Sequence, residues 1–155
     1  MDIINNLIDK IYDYTFPPSC LQRLHTLIAD ARERIQQSRK PHWDEKDVVL
    51  ITYADQFHEE NTPTLTTFSR FWQQHLQSSF NLVHLLPFFP WSSDDGFSVI
   101  DYHQVDPKCG DWQDVAALRQ HTRLMFDFVC NHMSSESAWL RHYLAQDPGW
   151  DDFFI

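Results

Sequence analysis

Two segments near the start of the chain repeat apolar residues every three or four positions, which is the spacing of one helical face. The first set lies in residues 2–14, and the second follows the proline pair at 17–18. Ser19-x-x-Gln22 resembles a capping box and predicts the start of the second helix. We therefore predict a helical N-terminal extension over residues 1–40. The apolar positions are Ile3, Ile4, Leu7, Ile8, Ile11, Leu21, Leu24, Ile28, Ala31 and Ile35.

Three later runs are continuously apolar or β-branched, which is typical of strands buried on both faces. They cover residues 48–53, 82–86 and 124–129. The order is αα-βα-βα-βα, which predicts an α/β fold with a parallel sheet and right-handed crossovers. This alternation favours a barrel and a doubly wound sheet equally. The helices after the strands are predicted over 64–78, after a cap at Asp111 with Val115 and Leu118 facing inward, and over 135–146.

The connection after the second predicted strand is unusually long. Residues 87–111 show no obvious regular structure, whereas most βα loops have about two to six residues. The loop follows the carboxyl end of a strand, where parallel α/β folds place their ligands. We therefore predict that it carries functional residues.

Composition narrows the class of partner. The chain has 22 acidic and 12 basic side chains, and its formal net charge of −10 repels phosphate backbones and anionic lipid. Neither nucleic acid nor a membrane is therefore an expected partner. The sequence has only 3 glycines and no nucleotide-binding glycine motif. An odd number of cysteines, no long apolar run and no signal-peptide pattern favour a reduced compartment, so we predict a cytoplasmic protein.

Two motifs follow the second and third predicted strands in a specific order. The first runs from Leu85-Leu86-Pro87-Phe88-Phe89-Pro90 through Ser92-Ser93-Asp94-Asp95-Gly96-Phe97 to Asp101-Tyr102. The second is Asp127-Phe128-Val129-Cys130-Asn131-His132. Together they resemble the α-amylase family (glycoside hydrolase family 13), and within it the sucrose phosphorylase and glucosylglycerate phosphorylase-like group. The resemblance covers residues 47–155, and residues 1–40 add nothing to it.

This resemblance implies the first three βα units of a (β/α)8 TIM barrel over residues 41–155, preceded by the two helices. It also implies a glucose-binding site formed by Asp94, Phe97 and His132. Asp94 would accept hydrogen bonds from sugar hydroxyls, His132 would donate one, and Phe97 would form an apolar wall. Asp127 and Asn131 are expected to brace the loop and to orient His132.

The reaction implied by the family is retaining glycosyl transfer by two carboxyl groups. In the phosphorylase group, inorganic phosphate is the co-substrate and α-glucose 1-phosphate is the product. The nucleophile, the acid/base and the stabilising carboxylate are expected beyond residue 155, so residues 1–155 contain no predicted catalytic residue. We expect an N-terminal fragment that transfers no glucose alone, and whose partner is the remaining C-terminal part of the enzyme. No metal ion or cofactor is expected.

Two alternatives remain open at this stage. The chain could be a non-catalytic sugar-binding remnant that keeps the three glucose-binding residues. It could also be an unrelated doubly wound protein that uses the 87–111 loop for a small ligand.

Overall fold

The computed structural model describes residues 2–11, 17–38 and 43–154. The chain divides into two compact units, Met1–Trp43 and Asp44–Ile155. Within the described residues, no helix combines the length and apolarity that crossing a membrane requires.

The first unit contains two helices, α1 (Asp2–Ile11) and α2 (Pro18–Ser38). A hydrogen bond joins them, between His25 Nε2 and Asn5 Oδ1 at 3.0 Å. The predicted helical faces are only partly covered, because Ile4 and Ile8 are half-buried whereas Ile3, Leu7, Ile11 and Ile35 are exposed. Residues 39–42, where the predicted extension ends, lie outside the described residues.

The predicted capping box at the start of α2 is wrong. The helix begins at Pro18, one residue before Ser19, and the carbonyl of Pro17 accepts from the backbone N–H groups of Cys20 and Leu21 at 3.0 and 3.1 Å. Proline suits the first helical position because its missing N–H would have no partner inside the helix. Ser19 therefore lies within the first turn and does not cap it.

The second unit is a three-stranded parallel sheet with helices. Its strands lie in the order β1-β2-β3, so β2 is central and hydrogen-bonded on both edges. In chain order the elements are β1 (Val49–Thr52), α3 (Thr64–Phe71) continuing as a π-helix (Trp72–Leu76), β2 (Leu82–Leu85), a 3₁₀ turn (Asp94–Gly96), α4 (Trp112–Arg119), β3 (Arg123–Phe126) and α5 (Ala138–Leu144).

One face of the sheet carries the core. The register aligns Leu50, Val83 and Leu124, and these side chains pack into a cluster with residues of α3 and α4. The most deeply buried helical members of that cluster are Leu65, Phe68 and Leu118, together with Trp72 of the π-helix. Phe57 stacks on Phe68 with ring centroids 4.9 Å apart, which extends the cluster into the loop after β1.

The opposite face is open among the described residues. It aligns Ile51, His84 and Met125, and Ile51 is 61% exposed. The prediction that all three strands are buried on both faces is therefore right only for most of β2. β1 and β3 are the outer strands of the three, and on this face their side chains Ile51 and Met125 are 61% and 40% exposed.

The predicted cap at Asp111 is confirmed by its contacts. Its carboxylate accepts from the backbone N–H groups of Gln113 and Asp114, and the Asp114 side chain accepts from the N–H of Asp111. Reciprocal bonds of this kind satisfy donors that a helix start leaves unpaired. Helix α4 therefore begins at a fixed point after the long loop.

The different burial of two phenylalanines predicts that their replacement will lower the stability of the protein by different amounts. Phe68 is 1% exposed and Phe128 is 75% exposed. Phe68→Ala should lower the free energy of unfolding by about 3–5 kcal/mol, because it removes buried apolar surface and leaves a cavity. The matched change Phe128→Ala should lower it by less than about 1 kcal/mol. Urea denaturation followed by tryptophan fluorescence measures both, and equal losses would contradict this assignment of the core.

Candidate functional site

The candidate site lies where the chain leaves β2 and β3. Both strands end at the same edge of the sheet, because Leu85 is in register with Phe126. The loop from β2 is held by its own backbone, with hydrogen bonds from Ile100 N–H to Pro90 O at 2.7 Å and from Asp106 N–H to Phe88 O at 2.8 Å. The 87–111 loop is therefore ordered by internal pairing.

A left-handed turn forms the tip of this loop. Asp94, Asp95 and Gly96 have φ values of 60°, 49° and 100°. Aspartate is among the few residues that tolerate this conformation, and glycine adopts it without strain. A side chain at position 96 would also approach the carbonyl oxygen of Pro87 to 3.2 Å. The sequence Asp-Asp-Gly thus suits the backbone of the turn.

The turn brings Asp94 to the third strand. Asp94 Oδ2 lies 4.0 Å from Nε2 of His132, and both side chains are accessible, with 69% and 46% of their surfaces exposed. The other ring nitrogen of His132, Nδ1, lies 2.7 Å from Nδ2 of Asn131. An acidic group and an imidazole from different strands therefore meet at one accessible place.

Phe97 is tied to the same turn through its backbone. Its N–H donates to the carbonyl oxygen of Asp94 at 2.9 Å, and its side chain is half-buried. The structure thus brings Asp94 and His132 together and anchors Phe97 to the turn that carries Asp94.

The two supporting residues of the second motif act differently from each other. Asn131 contacts His132, as expected. Asp127 does not orient His132: its Oδ2 lies 2.9 Å from Nε2 of His84, in the middle of β2. The expectation for Asp127 is corrected in this respect, because a carboxylate directly after β3 reaches the neighbouring strand before it reaches the loop.

Tyr102 fastens the end of the β2 loop to the segment after β3. Its hydroxyl donates to the carbonyl oxygen of Val129 at 2.8 Å. Burial raises the pKa of Tyr102 above its ordinary value, and the negative charge of Asp127 acts in the same direction. The hydroxyl therefore keeps its proton at neutral pH and remains a donor.

A cavity of about 610 Å³ opens beside the turn, at the ends of β1 and β2. None of Asp94, Phe97 and His132 is among its described lining residues. Asp95 lines the cavity, whereas the adjacent Asp94 faces His132. The lining residues are Tyr53, Ala54, Asp55, Pro87, Phe88, Phe89, Trp91, Ser92, Asp95, Asp106, Lys108 and Cys109.

Sequence reasoning missed this cavity and the pairing of His84 with Asp127. A signal was available for the cavity, because Tyr53, Ala54 and Asp55 directly follow β1, at the edge where such folds bind ligands. His84 lies inside an apolar run, and nothing in its neighbours along the chain indicates a partner 43 residues away.

Across residues 2–11, 17–38 and 43–154, no group of three or more His, Cys, Asp or Glu side chains is arranged to hold a metal ion. The expectation of a metal-free protein is not tested by this observation and stays a prediction.

A family model described as "Alpha amylase, catalytic domain" matches residues 74–155, which is more than half of the chain. The chain belongs to the α-amylase family. The match includes both motifs on which the predicted resemblance depends, and that resemblance is confirmed. The parallel α/β unit with its site at the strand ends is the arrangement expected for this part of an α-amylase domain.

Several curated relatives of this α-amylase family member are named as phosphorylases. It is 59% identical to the glucosylglycerate phosphorylase of Escherichia coli (strain K12) over 152 residues, covering 98% of this chain and 27% of the relative. It is 42% identical to the sucrose phosphorylase of Streptococcus mutans serotype c over 109 residues, covering 69% of this chain and 22% of the relative. The chain thus spans about a quarter of the length of the curated relatives it matches.

A solved structure gives the same picture of the α-amylase fold. The sucrose 6F-phosphate phosphorylase of Thermoanaerobacter thermosaccharolyticum aligns with a TM-score of 0.62 at 29% identity, over 72% of this chain and 22% of that one. The R284C mutant of the trehalulose synthase MutB aligns with a TM-score of 0.63 at 21% identity, over 75% of this chain and 23% of that one, and supports the fold alone.

The three cysteines differ in burial, and this predicts which thiols react first. Cys109 belongs to the cavity lining. Cys109 is buried, and burial raises the pKa of its thiol, with the charges of Asp106 and Asp55 acting in the same direction. A raised pKa leaves less of the nucleophilic thiolate at neutral pH. Iodoacetamide should therefore modify the exposed Cys20 and Cys130 in the folded protein, and Cys109 only in urea. Mass spectrometry of timed samples measures this, and equal rates at all three would contradict it.

Proposed function

We propose that this chain supplies the glucose-binding strand ends of a retaining α-glucosyl phosphorylase. The enzyme would act on glucosylglycerate, sucrose or a related α-glucoside and yield α-glucose 1-phosphate. In this proposal β1, β2 and β3 belong to the first three βα units of a (β/α)8 barrel, and α1 and α2 precede that barrel. The relatives named as phosphorylases of glucosylglycerate and sucrose support this substrate class, and the 59% identity makes glucosylglycerate the first compound to test.

The approach of Asp94 to His132 carries the proposal. A direct hydrogen bond requires about 2.7–3.2 Å, and the 4.0 Å between Nε2 and Oδ2 is too long for one. A hydroxyl oxygen about 2.8 Å from each atom would fit between them, with an angle of roughly 90° at that oxygen. Such a hydroxyl would accept from His132 and donate to Asp94. One sugar hydroxyl can therefore engage both strands.

Phe97 completes the proposed glucose site as its apolar wall. A pyranose presents C–H groups on its faces and hydroxyls around its edge, so it needs a ring beside the polar pair. The backbone bond from Phe97 to Asp94 keeps the two side chains on one turn. A wall at this point would favour one orientation of the sugar.

The chemical step needs groups that do not occur at matching positions in residues 1–155. Retaining transfer uses a carboxylate nucleophile and a carboxyl acid/base about 5–5.5 Å apart. We propose that these carboxylates lie outside residues 1–155 and that inorganic phosphate, as co-substrate, resolves the covalent glucosyl intermediate. No metal ion or organic cofactor takes part in this scheme.

Glucose binding by the chain itself gives the first test. Asp94→Asn should weaken binding by at least about tenfold, because hydrogen bonds to charged groups contribute about 1.5–3 kcal/mol. Asp95→Asn is the matched control, since it also replaces an aspartate with asparagine in a left-handed position of the same turn. NMR titration with glucose measures both affinities. Equal weakening by the two variants, or no binding to the unmodified chain, would refute the assignment of Asp94.

Phosphorolysis gives the second test. A chimera carries this chain in place of the aligned segment of the Escherichia coli glucosylglycerate phosphorylase, and release of glucose 1-phosphate is measured with several α-glucosides. The chimera should be active, whereas the chain alone should release none. His132→Ala should reduce kcat/KM of the chimera about a hundredfold or more, as loss of a preorganised donor does elsewhere.

The matched control in the chimera is His121→Ala, at an exposed histidine in the turn after α4. It should leave kcat/KM nearly unchanged. A chimera that folds, binds glucose and remains inactive would favour a non-catalytic sugar-binding protein over the proposed phosphorylase.

A further inference from the structure

Asn131 is expected to orient His132, and its contact with the ring bears on which ring nitrogen carries the proton. Its side-chain nitrogen lies 2.7 Å from Nδ1 of His132, and the opposite ring nitrogen faces Asp94 at 4.0 Å. One ring nitrogen is therefore in hydrogen-bond contact with Asn131, and the other faces Asp94 across a gap that one hydroxyl oxygen would fill. Asp94 comes from the β2 loop, and Asn131 immediately precedes His132 in the chain.

The carboxylate determines what Nε2 must do. An ionised carboxylate only accepts hydrogen bonds, so a bridging sugar hydroxyl uses its single hydrogen to donate to Asp94. Such a hydroxyl can still accept from a ring N–H, and for that Nε2 must carry the proton. In a neutral imidazole with the proton on Nε2, Nδ1 is a bare acceptor.

The amide determines what Nδ1 can be. The NH₂ group of Asn131 donates, and a donor 2.7 Å from Nδ1 stabilises the ring with that nitrogen bare. A reversed amide would place its oxygen there and would accept from a protonated Nδ1 instead, so it is the orientation with nitrogen toward Nδ1 that selects the tautomer. The Asn131 amide and the Asp94 carboxylate therefore favour the same tautomer from opposite sides of the ring.

We propose that Asn131 is a positioning residue that holds His132 in the Nε2–H tautomer, so that the imidazole presents a donor to the hydroxyl shared with Asp94. The tautomer is a property of the protein without sugar. Its use in holding glucose rests on the proposed function.

The unmodified chain gives a direct test. In mildly alkaline buffer, where an imidazole is neutral, ¹⁵N NMR should show Nε2 of His132 protonated and Nδ1 bare. A scalar coupling across the hydrogen bond should connect Nδ1 with the side-chain nitrogen of Asn131. A proton on Nδ1, or on both nitrogens, would overturn the proposal without the need for any variant.

Asn131→Asp tests the cause of the tautomer. The new carboxylate cannot donate, so it should draw the proton to Nδ1 and leave Nε2 bare. Glucose affinity should then fall by about 3- to 10-fold, the loss expected for one hydrogen bond between neutral groups. An unchanged tautomer in a folded variant, judged from its backbone amide spectrum, would refute the role of Asn131.

A second Asn–His pair, in α1 and α2, supplies the control. There the amide oxygen of Asn5 lies 3.0 Å from Nε2 of His25, so the amide accepts and does not donate. Asn5→Asp exchanges one accepting oxygen for another. It should leave Nε2 of His25 protonated and should not alter His132, although it adds the same charge.

The same data separate this proposal from the proposed function. If His132 has the expected tautomer and Asn131→Asp moves the proton, the positioning role is supported. If glucose then causes no shift at Asp94 or His132 in the unmodified chain, the glucose-binding function fails while the effect of Asn131 on the ring stands.

Discussion

The parallel register of the three strands is the constraint on which the candidate site depends. Thr52, Leu85 and Phe126 are aligned across the sheet, so the segments that follow β1, β2 and β3 all start from one edge. The register is fixed by burial, because a shift by one residue would move Val83 from the core to the open face. Packing on one side of the sheet thus determines which polar side chains meet at its end.

Much of this arrangement could be predicted from the sequence. The apolar runs predicted the three strands, because buried parallel strands need continuous apolar residues. Asp111 predicted the start of α4, since its capping role is local. The family motifs predicted that Asp94 and His132 would belong to one site, and the structure brings their side chains to within 4.0 Å.

Other features depend on contacts that no local pattern contains. The pairing of Asp127 with His84 follows from the spacing of neighbouring strands, and a helix that begins at Pro18 competes with the capping signal at Ser19. The exposure of Ile51 and Met125 was also missed. An apolar run indicates that a strand favours burial, but it does not identify which neighbouring elements cover each face.

The left-handed turn at Asp94, Asp95 and Gly96 has a consequence for comparisons among related sequences. Only Asp, Asn and Gly adopt such φ values at little cost, so the backbone alone restricts the choice of residue at positions 94 and 95. An aspartate shared at either position is therefore weak evidence of contact with a ligand. Replacement of aspartate by asparagine carries more information, because the backbone accepts both residues while the side chain loses its negative charge and exchanges one accepting oxygen for a donating NH₂ group.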